Sequence, residues 1–220
     1  MKTLISPSKT LNFDDYNTPG FNTDCRLLDD TKELHKILTS YSINGIKDLM
    51  SVSDKIAELN YNRFKSWENP SLSSKSKQAV YAFKGDVYSG LNAETITKDK
   101  FDFMQKNLRI LSGFYGLLRP FDKILPYRLE MGTKLQNSRG KNLYEFWGNK
   151  ITDLLNKDFE KAVSVFNQDL KDYPRNGWSY YGLYKAYKAL DKVELSNEAL
   201  IKHQEIWQMS DIELKSSIIY

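Results

Sequence analysis

The chain has a single cysteine in 220 residues, Cys25. One thiol closes no internal disulfide, so the fold must rest on packing, and a reducing compartment is the expectation. Histidine is nearly as scarce. His35 and His203 lie far apart, and no cluster of cysteine, histidine and carboxylates has metal-site spacing, so neither a metal nor a cofactor is expected. Long apolar runs are missing too: no stretch of roughly eighteen apolar residues exists, which argues against a membrane-spanning helix. At the start, Met1-Lys2-Thr3-Leu4-Ile5 meets Pro7 before an apolar core develops, so no secretory signal is expected and a cytoplasmic location is. A glycine-rich phosphate loop is also lacking. Ser6-Pro7-Ser8-Lys9-Thr10 follows a plausible strand and offers hydroxyls and a lysine, but without Walker glycines it reads equally as a phosphate-holding loop or a polar turn.

What is present is enough for a packed core: hydrophobic residues make up 40% of the chain and aromatics 13%, which argues against disorder. The net charge of +4 is unevenly spread, with +5 over residues 1–156 and −1 over residues 157–220. The basic surplus belongs to the first part.

Its densest feature runs from Leu108 to Trp147. Leu108 to Leu111 has the length and composition of a buried strand. A turn punctuated by Gly113 and Gly116 follows, then a short apolar piece stopped by Arg119-Pro120. Cations recur at Arg109, Arg119, Lys123, Arg128, Lys134, Arg139 and Lys141, opposed before Lys141 only by Asp122 and Glu130. Phe114, Tyr115, Phe121, Tyr127, Tyr144 and Trp147 are interleaved with them. Cations and flat rings on flexible backbone suit a polyanion that offers faces to stack on. The other reading is that these arginines and tyrosines make local ion pairs and cap carbonyls.

In chain order, Thr3-Leu4-Ile5 reads as a strand and Asn12 to Asp24, with Pro19-Gly20, as an irregular excursion. Asp29-Asp30 opens a helix reaching about Tyr41, a second follows a break at Asn44-Gly45, and Ile56, Leu59 and Phe64 suggest a third. His35 is expected to be a surface or capping residue. The spacing predicts further helices over Ser73 to Phe83, over Ile96 to Asn107 with Phe101, Met104 and Leu108 inward, and over Asn142 to Asn156 with Asn142 as cap. In Lys84-Gly85-Asp86-Val87-Tyr88, glycine allows close approach of a ligand. Asp86 and Glu130 are the acids considered for chemistry, as a general-base or metal-binding pair. Alternatively Asp86 caps a turn and Glu130 pairs with Arg128 or Lys134.

The blocks LISPSKTLNF, LMSVSDKIAELNYNRFKSW, AFKGDVYSGL, LRILSGFYGLLRPFDKILPYRLEMGTKL and GKNLYEFW resemble, in order, the signature blocks of the YaaA peroxide-stress family over about residues 1–156. The resemblance implies a cytoplasmic protein of mixed α/β fold that limits damage from hydrogen peroxide and free iron and binds DNA through a basic cleft and a helix-hairpin-helix-like element. It implies Lys9, Lys84, Arg109, Arg119, Arg128, Lys134 and Lys141 as phosphate contacts, with Tyr115 and Tyr127 beside them. Gly113 to Gly116 is the candidate hairpin, and no catalytic residue is transferred. Past GKNLYEFW the family pattern breaks, leaving the α/β domain incomplete relative to the family.

FEKAVSVFNQDLKDYPRNGWSYYGLYKAYKAL resembles a tetratricopeptide-type helical repeat, with Trp178, Gly182 and Ala186 as its punctuation after Tyr173-Pro174. A helix over about Glu194 to Gln208 and a short one over about Asp211 to Ser217 would follow. The fold expected is therefore an α/β (mixed α+β) domain over 1–156 joined near Asn156, by true fusion or by accidental recombination, to an all-α helical-repeat-like segment over 157–220. Three functions stand at this point: a non-enzymatic stress protein on weakly sequence-specific double-stranded DNA; an enzyme acting on a nucleotide or phosphorylated substrate, with Lys9 and Lys84 holding phosphate; or a protein-interaction module whose groove is lined by Tyr180, Tyr181, Tyr184 and Tyr187.

Overall fold

Three short apolar runs supply the central sheet. In the computed structural model, which describes residues 3–14 and 20–208, strand β1 (Thr3–Ile5) lies parallel to a later strand, Leu108–Ser112, pairing Thr3 with Leu108 and Ile5 with Ile110. That later strand turns back antiparallel onto Gly116–Leu118, with Ile110 opposite Leu118 and Ser112 opposite Gly116. The Gly113 to Gly116 segment thus joins two strands. The helix-hairpin-helix element expected there is a β-hairpin.

Between β1 and its partner the chain makes small pieces. β2 (Thr10–Leu11) is followed by α1 (Leu28–Leu38), α2 (Ile43–Met50) and α3 (Asp54–Lys65). α2 runs through the break expected at Asn44-Gly45, because the Ser42 hydroxyl accepts from Gly45 N and makes those residues its first turn. Pro19 lies outside the described residues. Where one helix was expected over Ser73 to Phe83, the chain forms β3 (Lys77–Gln78), the single turn α4 (Ala79–Ala82) and β4 (Phe83–Lys84). Pairing overrides helical spacing here: Lys77 and Gln78 face Ile124 and Lys123, and Lys84 faces Thr10. α5 (Asp86–Leu91) and α6 (Phe101–Asn107) follow, and Phe101, Met104 and Leu108 are buried as their spacing predicts. The remaining strands are β5 (Leu108–Ser112), β6 (Gly116–Leu118) and β7 (Lys123–Ile124).

Asn142 caps α7 (Leu143–Trp147), but the helix stops at Gly148, whose φ of +45° suits glycine. α8 (Lys150–Asp172), α9 (Gly177–Ala189) and α10 (Val193–Trp207) complete the described chain. Two compact units result, Lys2–Gly148 and Asn149–Tyr220. The change of character expected at Asn156 falls inside α8, which is continuous through that residue. The short helix expected over Asp211 to Ser217 lies outside the described residues. No described helix is long and apolar enough to cross a membrane.

Aromatic rings fill the core of the first unit. Phe64, Phe83, Phe114, Tyr115, Phe121, Phe146 and Trp147 are all essentially inaccessible. Polar ends of these rings are satisfied: Trp147 Nε1 donates to Gly113 O at 3.0 Å, Trp67 Nε1 donates to Tyr115 OH at 2.9 Å, and Tyr127 OH meets Ser112 Oγ at 2.6 Å. A side chain on Gly113 would collide with the Leu129 carbonyl, so glycine permits the close approach of the two segments at this point. Cys25 is buried beside this core with its thiol donating to Lys123 O, and burial followed by the nearby Asp122 charge pushes its pKa well up. His35 does cap a helix end, its Nε2 lying 2.8 Å from Phe64 O at the close of α3.

In the second unit α9 packs against both α8 and α10. Asn176 and Ser179, at the start of α9, both hydrogen-bond Asp169 near the end of α8. A side chain on Gly182 would run into the Phe166 ring, so glycine sets the close approach of α8 and α9. A repeat register is not established by these three helices.

Candidate phosphate-binding cleft

Two adjoining cavities lie in the first unit. The smaller, about 270 Å³, is walled by the loop after β1 (Ser6, Pro7, Ser8, Lys9), by Leu111 and Gly113 of the β5–β6 hairpin, and by the segment Tyr127 to Gly132. The larger, about 750 Å³, is walled by the C-terminal half of α2 with Ser51, by Tyr41, and by the segment Arg128 to Lys134. Arg128, Glu130 and Gly132 belong to both, so the cavities meet along this one segment.

Local chemistry explains each wall. Tyr88 OH donates to Ser6 O at 2.9 Å, and Ser8 Oγ accepts from Thr10 N at 3.1 Å, so the loop after β1 is tied to α5 and braced within itself. Gly85, with φ +136°, lets the β4–α5 turn close to within contact of Ser8. Ser51 ends α2 in the left-handed region at φ 50°, turning the chain at the rim of the larger cavity.

Glu130 sits at the junction. Its Oε1 accepts from Lys9 Nζ at 3.1 Å and from Arg128 Nη2 at 3.3 Å, with half of the Glu130 side chain exposed. Ion pairs this exposed are worth about 0–1 kcal/mol, so an incoming anion can replace the carboxylate at little cost. Lys134 and Asp48 complete the charged lining of the larger cavity.

The residues singled out from the sequence are therefore divided. Lys9, Arg128, Glu130 and Tyr127 meet around the smaller cavity, and Lys134 joins Arg128 on the larger. Lys84 lies behind the first loop, opposite Thr10, and pairs with Glu94 at 3.6 Å. Asp86 begins α5 and lines neither cavity, so it forms no pair with Glu130 there. Lys141 also lines neither, its backbone N–H bound to Glu145 Oε2. Arg119 is engaged with Asp122, at 2.8 Å, and with Asp24 O. Three expected surface contacts are instead core residues. Arg109 is 3% exposed and donates to the carbonyls of Gln105 and Leu108. Tyr115 and Tyr127 are 0% and 5% exposed, and their hydroxyls are bound inside, so neither presents a ring face at the surface. Burial pushes both phenols upward in pKa.

Sequence reasoning missed the contribution of α2: Asp48, Leu49, Met50 and Ser51. A signal existed. The blocks LISPSK, LMSVS and RLEMGTK, far apart in the chain, supply most of the two walls.

The family model described as peroxide stress protein YaaA matches residues 1–174. The chain belongs to that family. The match runs past Asn156 to the end of α8 and the turn after it. Among curated relatives, a UPF0246 protein of Teredinibacter turnerae is 48% identical over 74% of this chain and 64% of its own length. UPF0246 proteins of Shewanella pealeana and Shewanella halifaxensis are 49% and 51% identical over 76% of the chain and 65% of theirs. The chain thus spans just under two thirds of the length of these relatives.

In the second unit a groove of about 390 Å³ is lined by Tyr180, Leu183 and Tyr187 of α9 together with Leu195, Ile201 and Lys202 of α10. Tyr181 and Tyr184 lie outside it, their rings in tilted contact with each other and Tyr181 also against His203.

Proposed function

We propose that this peroxide-stress family chain, working in the cytoplasm, holds the phosphate backbone of DNA along the two joined cavities. Lys9, Arg128 and Lys134 would make the phosphate contacts. The observation that carries the reading is the meeting of Lys9 and Arg128, from segments far apart in sequence, on one half-exposed oxygen of Glu130. A carboxylate held by two cations marks a place where a phosphate oxygen finds two charge-assisted donors already aimed. Neutralising phosphates releases the cations condensed around DNA. Ferrous iron is among the cations so displaced, which gives protection against peroxide a physical form without an iron site on the protein.

Anisotropy titration of a short labelled duplex at several salt concentrations tests this. With these three contacts, log affinity should fall against log salt with a slope of about −3, and Lys9→Ala or Arg128→Ala should each flatten it by about one. A flat salt profile removes the reading. The alternative is a phosphorylated small molecule in the smaller cavity, favoured by that cavity's modest volume. Competition by free nucleotide at concentrations matching the duplex phosphates would select it.

For the second unit, the α9–α10 groove supports a role in holding a partner segment. Replacing Tyr187 and Leu195 by Ser in the full chain should abolish such binding, whereas DNA titration should be unchanged.

A further inference from the structure

The smaller cavity differs from the larger in what it can admit. Its volume of about 270 Å³ falls just below the roughly 300–1,000 Å³ typical of sites for drug-sized ligands, so it has room for one planar ring system and little more. Pro7, Leu111, Leu129 and Met131 give it apolar walls, whereas Ser6, Ser8, Lys9 and Arg128 provide polar groups. Ser8 already accepts from Thr10 N, which leaves its hydroxyl hydrogen to donate to a ring nitrogen or carbonyl. The cations Lys9 and Arg128 stand between this cavity and the larger one, where they meet at Glu130. A phosphate held at that junction would have its own base beside the apolar cavity and its neighbours along the open cleft.

We propose that the smaller cavity takes a single nucleobase that has left its stack, its phosphate held by Lys9 and Arg128 in place of Glu130. The proposal rests on the phosphate-backbone reading of the cleft. A stacked, paired base cannot enter a cavity of about 270 Å³ walled by Pro7, Leu129 and Met131, so the protein discriminates by how readily a base unstacks. A mismatched, bulged or damaged nucleotide costs least to extrude, and oxidative damage produces such nucleotides. The cavity therefore directs the protein to lesions in the strand.

The test compares two duplexes of equal length and charge, one fully paired and one with a single-nucleotide bulge, each carrying 2-aminopurine at the same position. Full-length protein should bind the bulged duplex about tenfold more tightly and change 2-aminopurine emission only there. Met131→Trp, which puts a larger side chain in the lining of the cavity, should bring the two affinities together, with circular dichroism confirming the fold. If that variant fails to fold, Ser8→Val should lower the ratio instead. Equal affinities for both duplexes, with the salt dependence intact, overturn the base pocket but leave the backbone reading standing. No salt-dependent binding to either duplex overturns both. A free nucleoside monophosphate at equal concentration should leave the complex intact, and displacement by it overturns a strand-borne base as the occupant.

Discussion

The two units are built on opposite plans. In the first, cavity walls come from residues 6–9, 41–51, 111–113 and 127–134, and the sheet joins β1 to a strand more than a hundred positions later. In the second, three successive helices pack neighbour on neighbour through short turns. Non-local closure is slow and costly in chain entropy, and it is the plan that brings separate chemical groups to one place. Local packing forms readily but offers only the grooves between adjacent helices. The candidate phosphate site accordingly lies in the first unit.

Trp147→Ala should break the comparison most forcefully. The ring is 2% exposed, donates to Gly113 O and packs on Gly116, so its loss should destabilise the first unit by about 3–5 kcal/mol. Part of the near-ultraviolet circular dichroism should be lost at a lower temperature, while the part from Trp178 and Trp207 of the second unit, with much of the helical signal, persists to the original one. A single joint transition would show that the units do not melt separately. Asp122→Asn comes next, at about 2–3 kcal/mol, because Asp122 is fully buried and accepts from Arg119 and Thr23. Burial raises the Asp122 pKa, partly offset by the Arg119 charge. The folded state therefore binds this proton more tightly than the unfolded chain does. That contribution is complete below the ordinary carboxylate value near about 4 and is lost as pH rises through the higher folded value. Urea midpoints measured across the acid range should show this decline in the parent and not in Asp122→Asn.

Gly182→Ala tests the other side, forcing α8 and α9 apart at Phe166 for about 1–3 kcal/mol. Only the helical transition should move. The smallest effect belongs to Glu130→Gln. Stability should stay within about 0.5 kcal/mol, since the pairs it makes are exposed. Affinity for duplex DNA should nevertheless rise, because the competing charge is gone. An unchanged affinity would separate Glu130 from the cleft's function.

Legibility in the sequence followed the same division. β1, β5 with the glycine turn after it, the Asn142 cap and the buried face of α6 were all visible, because each depends on a few adjacent residues, whereas the antiparallel return of β6 was not. α10 was read to within a residue at either end. The two-residue strands β2, β3, β4 and β7 were not, since their partners lie far along the chain and they carry no period of their own. Arginine is ordinarily exposed and tyrosine intermediate, so nothing local marked Arg109 or Tyr115 as buried. Lys9, Arg128 and Glu130 could be named as charges, but their meeting is a property of the loops that carry them.

Cys25 has a consequence for how the protein withstands the stress its family is named for. Hydrogen peroxide oxidises thiolates, and a thiol that is enclosed, bound to Lys123 O and held protonated presents almost none. The sole sulfhydryl is thus a passive part of the interior. Packing secured in this way keeps its shape while oxidant is plentiful, because the thiol offers the oxidant no thiolate to attack.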